Sequence, residues 1–78
     1  MAKINREKVI ILLQEKRKES REYYSTICDI LERNSIIGRK NKEKMINDFI
    51  ESLSIPYQEA NILYNDCMDI LIKERMIL

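Results

Sequence analysis

Seventy-eight residues, 45% of them hydrophobic and 35% charged, make one small domain near the size at which a single core only just suffices. The absence of histidine removes the commonest general base and zinc ligand, and a single glycine leaves no glycine-rich phosphate loop. Net charge is +1, but residues 1–44 hold twelve Lys or Arg against seven Asp or Glu, and residues 45–78 hold two against six. A +5 half followed by a −4 half reads either as ordinary helix surface or as a basic face for a polyanion.

Gly38 and Pro56 are the only residues of their kinds, and no alternating strand pattern occurs, so helices are expected nearly throughout. The first should run from about Ile4 to Lys18. Its run "VIILL" spreads apolar surface around most of the circumference, where a surface helix needs one stripe. It is therefore expected between two partners, one of them open to being a second subunit. Fourteen isoleucines in so short a chain point the same way, to a homodimer with Ile4, Ile11 and Leu12 at its interface. Five apolar residues are too few for a signal sequence or a membrane span, so a soluble, cytoplasmic protein is expected.

The polar stretch "QEKRKESRE" follows, with Ser20 placed to cap a second helix over Arg21–Arg33. Tyr24, Ile27, Ile30 and Leu31 share its apolar face. Neither Gly nor Pro separates the two helices, so one bent helix of about 30 residues, about 45 Å long, is the alternative. Arg17 and Ser20 would then interrupt its heptad seam, which favours two helices. Cys28 and Cys67 sit among apolar neighbours and are expected as buried free thiols; one interhelix disulfide is the alternative.

"RNSIIGRKNKEK" is the main break, with Gly38 suited to a left-handed helix end. A third helix is expected over Lys40–Ser52, with Met45, Ile46, Phe49, Ile50 and Leu53 apolar. The fourth begins near Pro56, tolerated in a first turn, and its core stripe is Ala60, Leu63, Tyr64, Cys67, Ile70 and Leu71. Ile62, Ile72 and Met76 form a second apolar flank. The expected fold is all-α: a single domain over 1–78, a three- to four-helix bundle. A helix or helix pair (1–34) would precede a unit over 39–78.

"LSIPYQEA" has the look of a tight corner, and Phe49, Leu53, Ile55, Ala60 and Leu63 are spaced as core residues around it. From Met45 to Leu78, about 34 of the 78 residues, the chain resembles the helix-turn-helix core of the winged-helix DNA-binding family, with "ILIKERMIL" similar to the end of its recognition helix. Ser54 stands where that family prefers glycine, Ile50 where it has a small residue, and Leu78 arrives before a wing is complete. The resemblance implies a fourth helix that presents Tyr57, Gln58, Glu59, Asn61, Ile62, Asn65 and Asp66 to a groove, with Gln58 and Asn61 bonding base edges. That surface has no Lys or Arg before Lys73, and Glu59 and Asp66 repel phosphates.

Phosphate contacts are expected instead from Arg39, Lys40, Lys42 and Lys44 at the start of the third helix. Arg17, Lys18 and Arg21 would extend the patch, with Tyr23 as a stacking ring; the plainer reading of each is a solvated charge. Asp66 and Asp69 share a face but lack further oxygen ligands for a cation. No catalytic residue, metal site or cofactor is expected. The leading reading is a dimeric, non-enzymatic DNA-binding regulator or accessory protein whose compactness would suit a virus, phage or plasmid. Its rival is an adaptor, or an inhibitor of a host or defence enzyme, docking through the acidic fourth helix. A structural assembly protein built on the first helix is the third.

Overall fold

The computed structural model describes residues 4–34 and 42–75. Among them are four helices and no strand: α1 (Arg6–Lys16), α2 (Arg21–Asn34), α3 (Lys42–Leu53) and α4 (Tyr57–Lys73). Each helix packs on its neighbours in the order α1, α2, α3, α4 and back to α1, closing a ring around one core. The interior is Val9, Ile10 and Leu13 of α1, Tyr24, Ile27, Cys28, Ile30 and Leu31 of α2, Met45, Ile46 and Phe49 of α3, and the expected six-residue stripe of α4.

Helix α1 starts two residues later than the periodicity suggested, because Asn5 caps it: its side-chain Oδ1 accepts the Lys8 N–H at 3.2 Å. Ile4, the residue before this cap, is only 7% exposed and belongs to the core. It cannot serve the subunit interface expected of it, since its surface is already buried within the chain. Besides α2, α1 packs on α4 of the same chain.

Two helices, not one bent helix, occupy residues 6–34, and the break has a side-chain cause. Arg17 leaves α1 in an extended conformation (φ −152°, ψ 154°). The Tyr24 hydroxyl, reaching back from α2, donates to the Arg17 carbonyl and accepts the Glu19 N–H at 3.1 Å. Ser20 Oγ then accepts the Tyr23 N–H at 3.1 Å and starts α2. A ring with no solvent exposure therefore supplies the partners of a corner that contains no Gly or Pro. Burial raises the Tyr24 pKa, consistent with a hydroxyl kept neutral.

Between α3 and α4 lie only Ser54, Ile55 and Pro56. Ser54 takes the left-handed conformation (φ 55°) that its position suggested for glycine, and Pro56 is the cap rather than the first residue of α4. The main break around Gly38, with Arg39 and Lys40, lies outside the described residues, as does Met76.

Two stability outcomes follow. Tyr24→Phe should lower unfolding free energy in urea by about 1–2 kcal/mol, because it strands two backbone groups at the corner. An unchanged midpoint would mean the corner is held by other contacts. Ser54→Gly should raise stability by about 0.5–1 kcal/mol by removing the Cβ clash of a left-handed residue, measured in the same titration.

Candidate functional site

Part of the charge segregation read from the sequence is taken up by ion pairs between helices, most of them partly exposed. Helices α1 and α4 run antiparallel, so Lys8 near the start of α1 meets Glu74 (2.7 Å) and Arg17 at its end meets Asp66 (3.4 Å). The basic half is thereby stapled to the acidic half. Arg6 pairs with Asp29 (2.9 Å) and Glu32 (2.7 Å) and donates to Ser25, while Arg21 pairs with Glu7. Arg17 and Arg21 are thus engaged within the chain, while Lys18, the third member of that extension, is exposed. Tyr23 is not a free stacking platform: its ring packs edge-to-face on Tyr24, centroids 5.5 Å apart, against the core.

Of the four residues expected to contact phosphate, Arg39 and Lys40 lie outside the described residues. Lys44 is bonded to Asn34 Oδ1 (3.3 Å) and lies 3.7 Å from Asp48, which also pairs with Arg33 at 3.6 Å. The buried Asn34 amide donates to the Ile30 carbonyl (2.9 Å) and to Asp48 (3.0 Å). Lys42 lies over the Tyr64 ring, 5.6 Å from its centroid, a cation–π contact between α3 and α4. Both lysines therefore tie helices together while keeping their ammonium groups at the surface. The sequence reading missed the Asn34–Asp48 cluster; an amide in the last turn of an apolar-faced helix was the signal for it.

Helix α4 divides differently. Asp66 and Glu74 face α1 and are paired, and Asp69 is held by Lys73 at 3.7 Å. The acidic docking face expected of α4 is correspondingly thinner than its composition implied. Its outward face is Gln58, Ile62, Asn65, Asp69 and Ile72, all exposed, with Asn61 partly buried at its margin. Ile62 and Ile72 are 53% and 54% exposed, too much for core residues and matching the second apolar flank read from the sequence. Gln58 and Asn61, the candidate base readers, lie at the start of this face, beside Tyr57. On α1, Ile11 is 52% exposed, but its helical neighbours Glu7, Lys8, Gln14 and Glu15 are all exposed and polar. Leu12 is partly buried and lines an open groove of about 340 Å³ with Glu15, Lys16, Asp69, Ile70, Lys73 and Glu74. The three interface candidates on the first helix therefore do not come together as one apolar patch.

Known families, characterised proteins and solved structures offer no match to this chain. Among the described residues no three His, Cys, Asp or Glu side chains gather as a metal site requires, and no helix is long and apolar enough to cross a membrane.

Cys28 and Cys67 are buried free thiols, as their spacing suggested. Burial pushes the Cys28 thiol up to about 11, and the Cys67 thiol further still, with Cys28 nearby adding to the effect. In the unfolded chain both ionise near the ordinary thiol value of 9.0. The folded state keeps its protons longer, so the thiols' contribution to stability is full below pH 9 and declines as pH rises from there past 11. Thermal unfolding at pH 7, 9 and 10.5 should show that decline, and Cys28→Ala should shrink it. Both thiols should also react slowly with a disulfide reagent at pH 7.

Proposed function

We propose that this protein is a small, non-enzymatic protein-binding module that docks through the outward face of α4. The observation that carries this reading is the pair of half-exposed isoleucines, Ile62 and Ile72, on a helix face otherwise built from amides and one paired carboxylate. Exposed apolar anchors repeating along one helix are what a partner's groove takes up. A groove in DNA asks for the opposite, cations around the reading helix, and the one lysine within α4 is paired with Asp69.

A DNA-binding reading has one observation of its own. The left-handed Ser54 places α4 after a three-residue turn, as in a helix-turn-helix, with Tyr57 and Gln58 exposed in its first turn. In that reading Gln58 and Asn61 would meet bases while Lys42 and Lys44, with Arg39 and Lys40, would contact phosphates.

Two measurements separate the readings. Random duplex DNA at 50 and 200 mM salt should show no steeply salt-dependent binding; a loss of roughly a thousandfold across that range would mark six or more phosphate contacts and favour DNA. A photoreactive side chain at position 65, introduced in the cells that make the protein, should give protein adducts absent when it replaces the exposed Glu22. Equal yields from both positions would refute docking through α4. Ile62→Lys should abolish the adducts and leave the melting temperature within a few degrees, as expected of an exposed side chain.

A further inference from the structure

The outward face of α4 has an internal symmetry. Ile62, Asn65, Asp69 and Ile72 are spaced three, four and three, a pattern that reads the same in both directions about position 67. At about 100° per residue all four fall within roughly 80° of arc, and Ile62 and Ile72 stand about 15 Å apart along the axis. We propose that this face binds a second copy of the chain, α4 against α4 and antiparallel, about a two-fold axis level with Cys67. The inference rests on the reading of α4 as a docking face and names its occupant.

A two-fold contact requires that if one residue meets a second on the partner, the reverse also holds. Antiparallel pairing about position 67 satisfies this for these four residues. Ile62 lies over the partner's Ile72, and Ile72 over the partner's Ile62. Asn65 faces the partner's Asp69, where its amide N–H groups donate to the carboxylate, and Asp69 faces the partner's Asn65. Parallel pairing would set Asp69 against its own copy, a like-charge contact that works against association. Lys73 accompanies Asp69 at 3.7 Å, so the carboxylate retains a counter-charge as water leaves. Two apolar layers flanking a polar centre bury much less than the roughly 1,600 Å² of a standard interface. The dimer is accordingly weak, with a dissociation constant on the order of 10–1,000 µM.

The register is tested by cysteine pairing. In the double variant I62C/I72C the new thiols are about 15 Å apart within one chain, beyond disulfide reach, so any bridge joins two chains. Mild oxidation at ~200 µM should convert the double variant to covalent dimer at least tenfold more than I62C or I72C alone. In the single variants the two copies of the new cysteine lie about 15 Å apart axially. The native cysteines are buried and should not compete. Similar yields from single and double variants, or none from any, overturn the antiparallel register. Independently, sedimentation equilibrium of the unmodified chain from 10 µM to ~1 mM should show mass rising towards the dimer, and I62K should hold it at the monomer. A monomer at ~1 mM overturns self-pairing. Photo-adducts from position 65 of foreign mass only would then keep α4 as a docking face for another protein, whereas absence of adducts would remove both ideas.

Discussion

The Tyr24 hydroxyl fixes the turn on which the rest of the bundle depends. Residues 17–20 contain nothing that stops a helix by backbone preference, and a continuous rod through them would carry α2 away from α1. By satisfying the Arg17 carbonyl and the Glu19 N–H at once, Tyr24 replaces two of the hydrogen bonds that the extended path gives up. The chain doubles back, α1 lies along α2, and the far side of α1 becomes available to α4.

That arrangement decides where the charges go. A basic first half and an acidic second half would attract one another in any compact state, but antiparallel α1 and α4 give the attraction specific partners at both ends. Arg17 and Asp66 are largely shielded from solvent, so their pair is less screened by salt than the exposed ones. What survives on the surface is the residue set left over once each helix has met two neighbours. On α4 that remainder is a stripe of amides and isoleucines, and on α1 a lone Ile11 among charges. The strong sequence signal of charge asymmetry thus partly reflects pairing between helices, while a weaker one, two isoleucines off the core stripe, describes the free surface.

Helix identity and the core of α2, α3 and α4 were legible because scarce Gly and Pro and 3.6-residue periodicity are local signals. Legibility ended where a partner distant in sequence intervened. Ile4 precedes the Asn5 cap by one residue and Val9 follows it by four, the spacing of a hydrophobic staple, and both are buried. Reading that spacing would have moved Ile4 from an interface to the interior. Helix α1 looked apolar all round because Val9, Ile10 and Leu13 serve the core, Leu12 packs partly against it, and Ile11 does not. Lys42 and Lys44 looked like a phosphate patch because nothing in the sequence places Tyr64 or Asn34 beside them. Ser54 was legible as a position even though its residue type was unfavourable, since the three-residue span between two apolar stripes demands a reversal whatever occupies it.

The closed ring of helices also loosens the link between fold and chain order. The Lys8–Glu74 bridge sets the beginning of α1 beside the end of α4, and the Asn34–Asp48–Lys44 cluster clamps the end of α2 to the start of α3. The α4–α1 and α2–α3 junctions thus each have a tether of their own, independent of the covalent connection. A circular permutant joined between α4 and α1 and opened between α2 and α3 would keep both of these tethers. In such a molecule the order of synthesis changes while the neighbours do not, and α3 and α4 would emerge first as an adjacent pair.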